Sequence, residues 1–210
     1  MHTFAFRPFR LPLTLTVTLA AVLLLTGCFS RSPLQKQLFA LMPAVQLVRG
    51  ASDTNAIVLR HVTVTVCAPF DTKSFVYRTG PQSFEMDPNA EFMGPPARLL
   101  AAAIESGLRQ SGVFAQIASP GSALPSARIL EVQVTELCAD FSNPSEPEAV
   151  FSANFLLFDN KKGSSGELLR NIQLTRRVRL KESSAVAVAA ALNTALEQIL
   201  AEVAPKLAIP

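Results

Sequence analysis

The run Ala149-Val-Phe-Ser-Ala-Asn-Phe-Leu-Leu-Phe158, the turn Asp159-Asn-Lys-Lys-Gly-Ser-Ser-Gly166 and the run Leu168-Leu-Arg-Asn-Ile-Gln-Leu-Thr-Arg-Arg-Val-Arg-Leu180 decide the fold of this chain of 210 residues. Two strand-like runs around a polar, glycine-bearing connection predict a hairpin. From Ser183 or Ser184 to Leu207, an Ala-rich stretch repeats Val188, Leu192, Leu196, Ile199, Leu200 and Val203 at helical spacing, which predicts a long amphipathic helix. Ahead of the hairpin, Ile129 to Leu137 reads as a third strand. Farther upstream, Ala97 to Gln110 places Leu99, Leu100, Ala103, Ile104 and Leu108 on one face, with proline at its start and Ser111-Gly112 at its end.

Ile57 to Val66 alternates Val and Thr with the period of two expected of a half-buried strand. Pro69 stops it, Phe75-Val-Tyr77-Arg78 restarts an extended segment, and Thr79-Gly80-Pro81 turns the chain toward Phe84-Glu-Met86, so a hairpin follows the first strand. Asp87-Pro88 and Gly94-Pro95-Pro96 then read as breaks. The order β-β-α-β-β-β-α predicts an α/β (α+β) fold: a single mixed, largely antiparallel sheet with two helices packed on it.

A 49% hydrophobic and 17% charged composition excludes a disordered chain. At the N-terminus, Arg7 and Arg10 precede an apolar run from Leu11 to Leu25, followed by Thr26-Gly27-Cys28. Fifteen residues fall short of the roughly 20 that a spanning helix needs, so residues 1–27 read as a signal peptide. The small pair Thr26-Gly27 before a cysteine resembles a bacterial lipobox, which implies diacylation of Cys28 on sulfur and N-acylation (palmitate-type chains) after cleavage. Residues 28–37 then form a lipidated tether and 38–210 the domain. Cleavage removes two arginines and no acid, leaving 17 bases against 16 acids, so no basic excess points to nucleic acid. Phe29 and Ser30 follow Cys28, with no Asp at the second mature position. By resemblance to enterobacterial lipoproteins, this implies the outer membrane, periplasmic face.

With Cys28 acylated, Cys67 and Cys138 are left in an oxidising compartment. Their similar frames, Val-Thr-Val-Cys67-Ala-Pro-Phe70 and Thr-Glu-Leu-Cys138-Ala-Asp-Phe141, suggest neighbouring strands and a disulfide. Their parities disagree unless a one-residue bulge occurs around Thr135-Glu-Leu137, and two separate buried thiols are the alternative.

Chemistry is sparse. Once His2 is removed His61 is the only histidine, which leaves nothing for a nucleophilic triad or a metal set, and no phosphate-binding loop occurs. The reading is non-enzymatic, without metal or cofactor beyond the acyl anchor. Asp140, Glu146 and Glu148 read as a solvated, proline-broken loop. Arg177 and Arg179 share a parity and suggest a basic stripe for an acidic partner or lipid headgroups, against the plainer reading of a solvated outer face. Phe70, Phe75 and Tyr77 cluster after the first strand near Phe84 and Phe92, mostly as core, with an exposed edge suited to protein or acyl contact.

Taken together, the lipobox Leu25-Thr-Gly-Cys28, Phe39-Ala-Leu41, the Val-x-Val strand running into Pro69-Phe70, Phe75-Val-Tyr77-Arg78, Phe92-Met-Gly-Pro95-Pro96, Gly112-Val-Phe114 and Val132-Gln-Val134-Thr-Glu136-Leu137 resemble the ABC-type transport auxiliary lipoprotein family, the PqiC-like components of MCE (mammalian cell entry) lipid transport systems. The family often has Trp at the position of Phe92, Tyr at Phe39 and Pro or another small residue at Cys67. The resemblance implies a non-catalytic partner of an MCE-domain protein, an ABC permease and its ATPase, docking the MCE protein and aiding phospholipid movement. A structural lipoprotein that scaffolds an outer-membrane complex without handling lipid is the alternative. Homo-oligomerisation stays open.

Overall fold

The computed structural model describes residues 35–43, 58–114, 116–118, 128–159 and 166–208. The signal peptide 1–27, Cys28, most of the tether 28–37, the loop at 119–126 and the tip of the hairpin turn lie outside the described residues. The strands are β1 (Gln37–Phe39), β2 (Val58–Val66), β3 (Ser74–Arg78), β4 (Phe84–Phe92), β5 (Gln116–Ile117), β6 (Arg128–Asp140), β7 (Glu148–Asp159) and β8 (Glu167–Arg179). The helices are α1 (Pro96–Ser111) and α2 (Ala185–Leu207).

One mixed sheet holds all eight strands of the described residues, and its longest ladders, β6 with β7 and β7 with β8, are antiparallel. Along its other edge β6 accepts two parallel partners end to end: β2 against its first half and β3 against Ala139 and Asp140. The expected hairpin is β3 with β4, and β2 stands outside it, paired in parallel with β5 and β6. Asp87-Pro88 does not end β4. It lies where the register jumps between Ser74 and Val76, so the proline, which has no N–H to donate, costs the ladder no bond. Asp87 Oδ1 accepts the backbone N–H groups of Asn89 and Ala90 at 2.7 and 2.9 Å, which shapes that bend.

Both helices pack on one face, α1 over β2 and α2 over β7 and β8, touching each other. Pro96 opens α1, where its missing N–H is no loss, and Gly112 closes it in the left-handed conformation at φ 67°. Ser184 caps α2 by accepting the Ala187 N–H at 3.1 Å. Although α2 is long and apolar enough to cross a bilayer, Leu192, Leu196, Ile199, Leu200 and Val203 are spent on the core, against Phe151, Phe155 and Leu157 of β7 and the inner residues of β6.

That core sets the first expectation. Leu196→Ala should destabilise the domain by about 2–5 kcal/mol through the cavity it leaves, whereas Val186→Ala, on the exposed side of α2, should change stability by less than about 0.5 kcal/mol. Urea unfolding of both variants measures this, and equal losses would contradict the assigned helix face.

Candidate interaction surface

The face of the sheet turned away from the helices follows from register. Thr63 and Thr65 of β2 pair with Glu131 and Gln133 of β6, Gln133 pairs with Asn154 of β7, and Asn154 pairs with Gln173 of β8. Ser152 and Thr175 are a second β7–β8 pair there, with their hydroxyls 2.8 Å apart. The middle of this open face is therefore polar and hydrogen-bonding, with Glu131 the one charged side chain in these rows, and Thr63, Thr65, Gln133, Gln173 and Thr175 are exposed.

One end of the face is charged. Arg78 donates to Glu136 and, at 3.1 Å, to Asp140. Arg177 donates to Asp140 at 3.3 Å and to Glu148 at 3.1 Å, and Arg179 stands 3.2 Å from Glu146. Arg177 and Arg179 do share the face that their parity implied. They are matched there by the carboxylates read from the sequence as a solvated loop, so three arginines meet four acids and no free basic stripe results. The sequence reading missed Arg78 and Glu136. A signal was present, since Glu136 stands four residues before Asp140 in β6 and Arg78 is the last residue of β3, but only the parallel pairing of β3 with β6 brings them together.

Phe70 and Phe75 are buried. Phe75 stacks in the core between Phe39 and Phe92, with ring centres 5.0 and 4.7 Å away. Phe70 meets the edge of the partly exposed Phe84, over which Arg78 also lies. Tyr77 is half-buried, packs against Phe141 and donates its hydroxyl to Asp87. Burial, then that hydrogen bond, raises the Tyr77 pKa. The aromatic group thus serves mainly to build the core, as the larger part of the sequence reading held.

The expected Cys67–Cys138 bond is not formed: both thiols are free, Cys67 exposed and Cys138 buried. The two strands do lie side by side, and the bulge does occur, between Val134 and Glu136. Neither brings the sulfurs together, because the Cys67 N–H donates to Val134 O and sets Cys67 beside Thr135. Cys138 lies three residues on, roughly 10 Å of strand, beyond the about 7 Å between Cα atoms that a disulfide spans. Burial pushes the Cys138 thiol up to about 12, against the pull of Arg78. His61 sits in an irregularity of β2, between Leu59 and Val62. Among the described residues no group of three or more His, Cys, Asp or Glu is placed to hold a metal ion.

The model of the ABC-type transport auxiliary lipoprotein component matches residues 38–204, so the chain belongs to that family. No curated protein matches it. Its fold is similar to that of a Xanthomonas campestris protein of the DUF330 family, with a TM-score of 0.70 at 20% identity, covering 82% of this chain and 94% of that one. A second solved structure, of an uncharacterized protein, gives a TM-score of 0.62 at 17% identity, covering 82% of this chain and 99% of the other. The family is one of lipoproteins and its members are auxiliary components of transport systems.

Two measurements test this geometry. In the native mature protein an aromatic disulfide reagent should titrate Cys67 rapidly and Cys138 only after unfolding. A protein with no titratable thiol even in unreduced denaturant would restore the disulfide. The second concerns acid. Desolvation raises the Asp87 and Asp140 pKa values, yet donors outweigh it: Tyr77 and the Asn89 and Ala90 amides for Asp87, Ser142, Arg177 and Arg78 for Asp140, so both end below the usual range. A folded pKa below the unfolded one adds stability that is complete above the unfolded value, about 3.9, and is lost as pH falls through the folded value. Urea unfolding should therefore show stability dropping below about pH 4, with a shallower drop in Asp87→Asn, and an unchanged slope in that variant would remove Asp87 from the account.

Proposed function

We propose that the chain is an outer-membrane-anchored periplasmic lipoprotein, held by acyl chains on Cys28, that acts as a non-catalytic auxiliary component of an ABC/MCE-type system moving phospholipid between membranes. On this reading it docks the MCE-domain protein, which in turn serves an ABC permease and its ATPase. The observation that carries the reading is the family match across nearly the whole domain. The lipobox ending at Cys28, with Phe29 and Ser30 behind it, supports the anchor and its membrane. Two or more acyl chains anchor a protein stably where one would not.

The docking surface on this reading is the open face of the sheet. Among the described residues it carries no helix, and the uncharged row Thr65, Gln133, Asn154 and Gln173 across it can exchange hydrogen bonds with a partner without stripping ions of water. The test is recovery of the lipidated protein, tagged after Pro210, from mildly solubilised envelopes, with co-purifying proteins identified by mass spectrometry. An MCE protein with its permease should be recovered, and Gln133→Lys/Gln173→Lys should lower that recovery several-fold while leaving the fold intact. Recovery of an outer-membrane assembly complex without any MCE component would replace this reading with the scaffold.

A further inference from the structure

Three of the exposed large apolar side chains gather where the domain begins. Leu38 is 58% exposed, Met42 78% and Met93 63%. Leu38 pairs with Glu91 on the β1–β4 ladder, and Met93, two residues past Glu91 with the same parity, donates its N–H to Phe39 O at 2.8 Å. Leu38 and Met93 are therefore diagonal neighbours on one face. Met42 has the parity of Leu38 along the extended segment that follows β1.

This rim is held firmly. β1 is paired to β4, and Asn193 of α2 accepts the Met42 N–H at 2.7 Å and donates to Ala40 O at 3.3 Å. Phe39 and Leu41, the alternate residues, pack inward. A backbone pinned on two sides thus presents apolar side chains outward at a fixed angle, which an ordinary solvated edge has no use for.

Basic residues flank it, with Asp71 the exposed acid beside Lys73. Lys36 precedes the rim and is paired with Glu91, which cancels the nearest acid. Lys73, exposed, lends its carbonyl to the Phe92 N–H, and Arg98, exposed, lies in the first turn of α1 just beyond Met93. The sequence fixes how far the rim can be from the anchor. Seven residues lie between Cys28 and Lys36, a contour length of at most about 30 Å.

We propose that the Leu38–Met42–Met93 rim lies on the bilayer surface to which Cys28 is anchored, with the three side chains among the lipid headgroups and upper acyl chains and Lys73 and Arg98 facing lipid phosphates. The short leash keeps the rim at the surface, the apolar tips give it reason to stay, and the bases match an anionic headgroup layer. The domain is then oriented by contact as well as tethered. This rests on the acylation of Cys28.

The test uses the full mature lipoprotein in phosphatidylethanolamine–phosphatidylglycerol vesicles at low protein density, with Cys67→Ser so that the exposed native thiol is absent. An environment-sensitive nitrobenzoxadiazole label is placed at Leu38→Cys, Met93→Cys or, as reference, Gln173→Cys on the open face, and Met42→Cys serves if either rim variant fails to fold. Labels on the rim should emit to the blue and be reduced by aqueous dithionite several-fold more slowly than the label at 173. Equal reduction at all positions in protein whose mass carries the acyl chains overturns the rim contact and leaves the anchor intact. Protection that appears only at high protein density overturns it in favour of contact between copies. A mature chain with unmodified Cys28 that washes off the vesicles overturns the anchor and this proposal with it.

Discussion

Strand β6 has thirteen residues that need hydrogen-bond partners on both edges, because its middle is covered by helices on one face and flanked by strands on either side. β7 satisfies one edge over its whole length. No single strand satisfies the other. β2 and β3 divide it, and the segment from Cys67 to Lys73, with its cis Ala68-Pro69 bond, carries the chain from one to the other. The bulge after Val134 keeps this workable. Up to that point Leu130, Val132 and Val134 face the helices, and strict alternation would next turn Glu136 inward. The extra residue hands the position to Leu137 and Ala139 and sends Glu136 to the open face, where Arg78 meets it. Core and surface of the whole domain keep their separation through that single step.

From this follows the two-sidedness of the molecule. Apolar area is concentrated under α1 and α2, including an α2 apolar enough for a membrane but used inside the protein. Much of the opposite face is left to Thr, Gln, Asn and Ser around Glu131, closed at one end by the cluster of three arginines and four carboxylates. Such a face offers directional hydrogen bonds and little net charge, so it discriminates partners by shape and polar match more than by long-range attraction.

Much of the fold could be read from the chain because its strongest signals are local. The hairpin of β7 and β8, the span of α2 with its Ser184 cap, and α1 between prolines and Gly112 all follow from periodicity and end chemistry. β1 and β5, at three and two residues, carry no periodicity of their own and exist because β4 and β2 offer edges to them. Asp87-Pro88 reads as a break, since sequence does not reveal that the ladder would skip those residues. The site was harder to read for the same reason. Parity placed Arg177 and Arg179 on one face, but their acidic partners come from strands set by long-range register. Likewise the matching frames of Cys67 and Cys138 reported neighbouring strands correctly and their offset not at all.

The way β1 is attached has a mechanical side. Any pull from the N-terminal part of the chain enters the domain at Lys36 and is borne first by a three-residue strand and by Asn193. Among the described residues the next strand is β2, which is paired with β6 and β5 and begins thirty residues after Cys28, a contour of roughly 100 Å. A three-residue ladder is a weak link in series with stronger ones: under tension β1 should yield first, lengthening the leash while the other described strands and both helices stay folded.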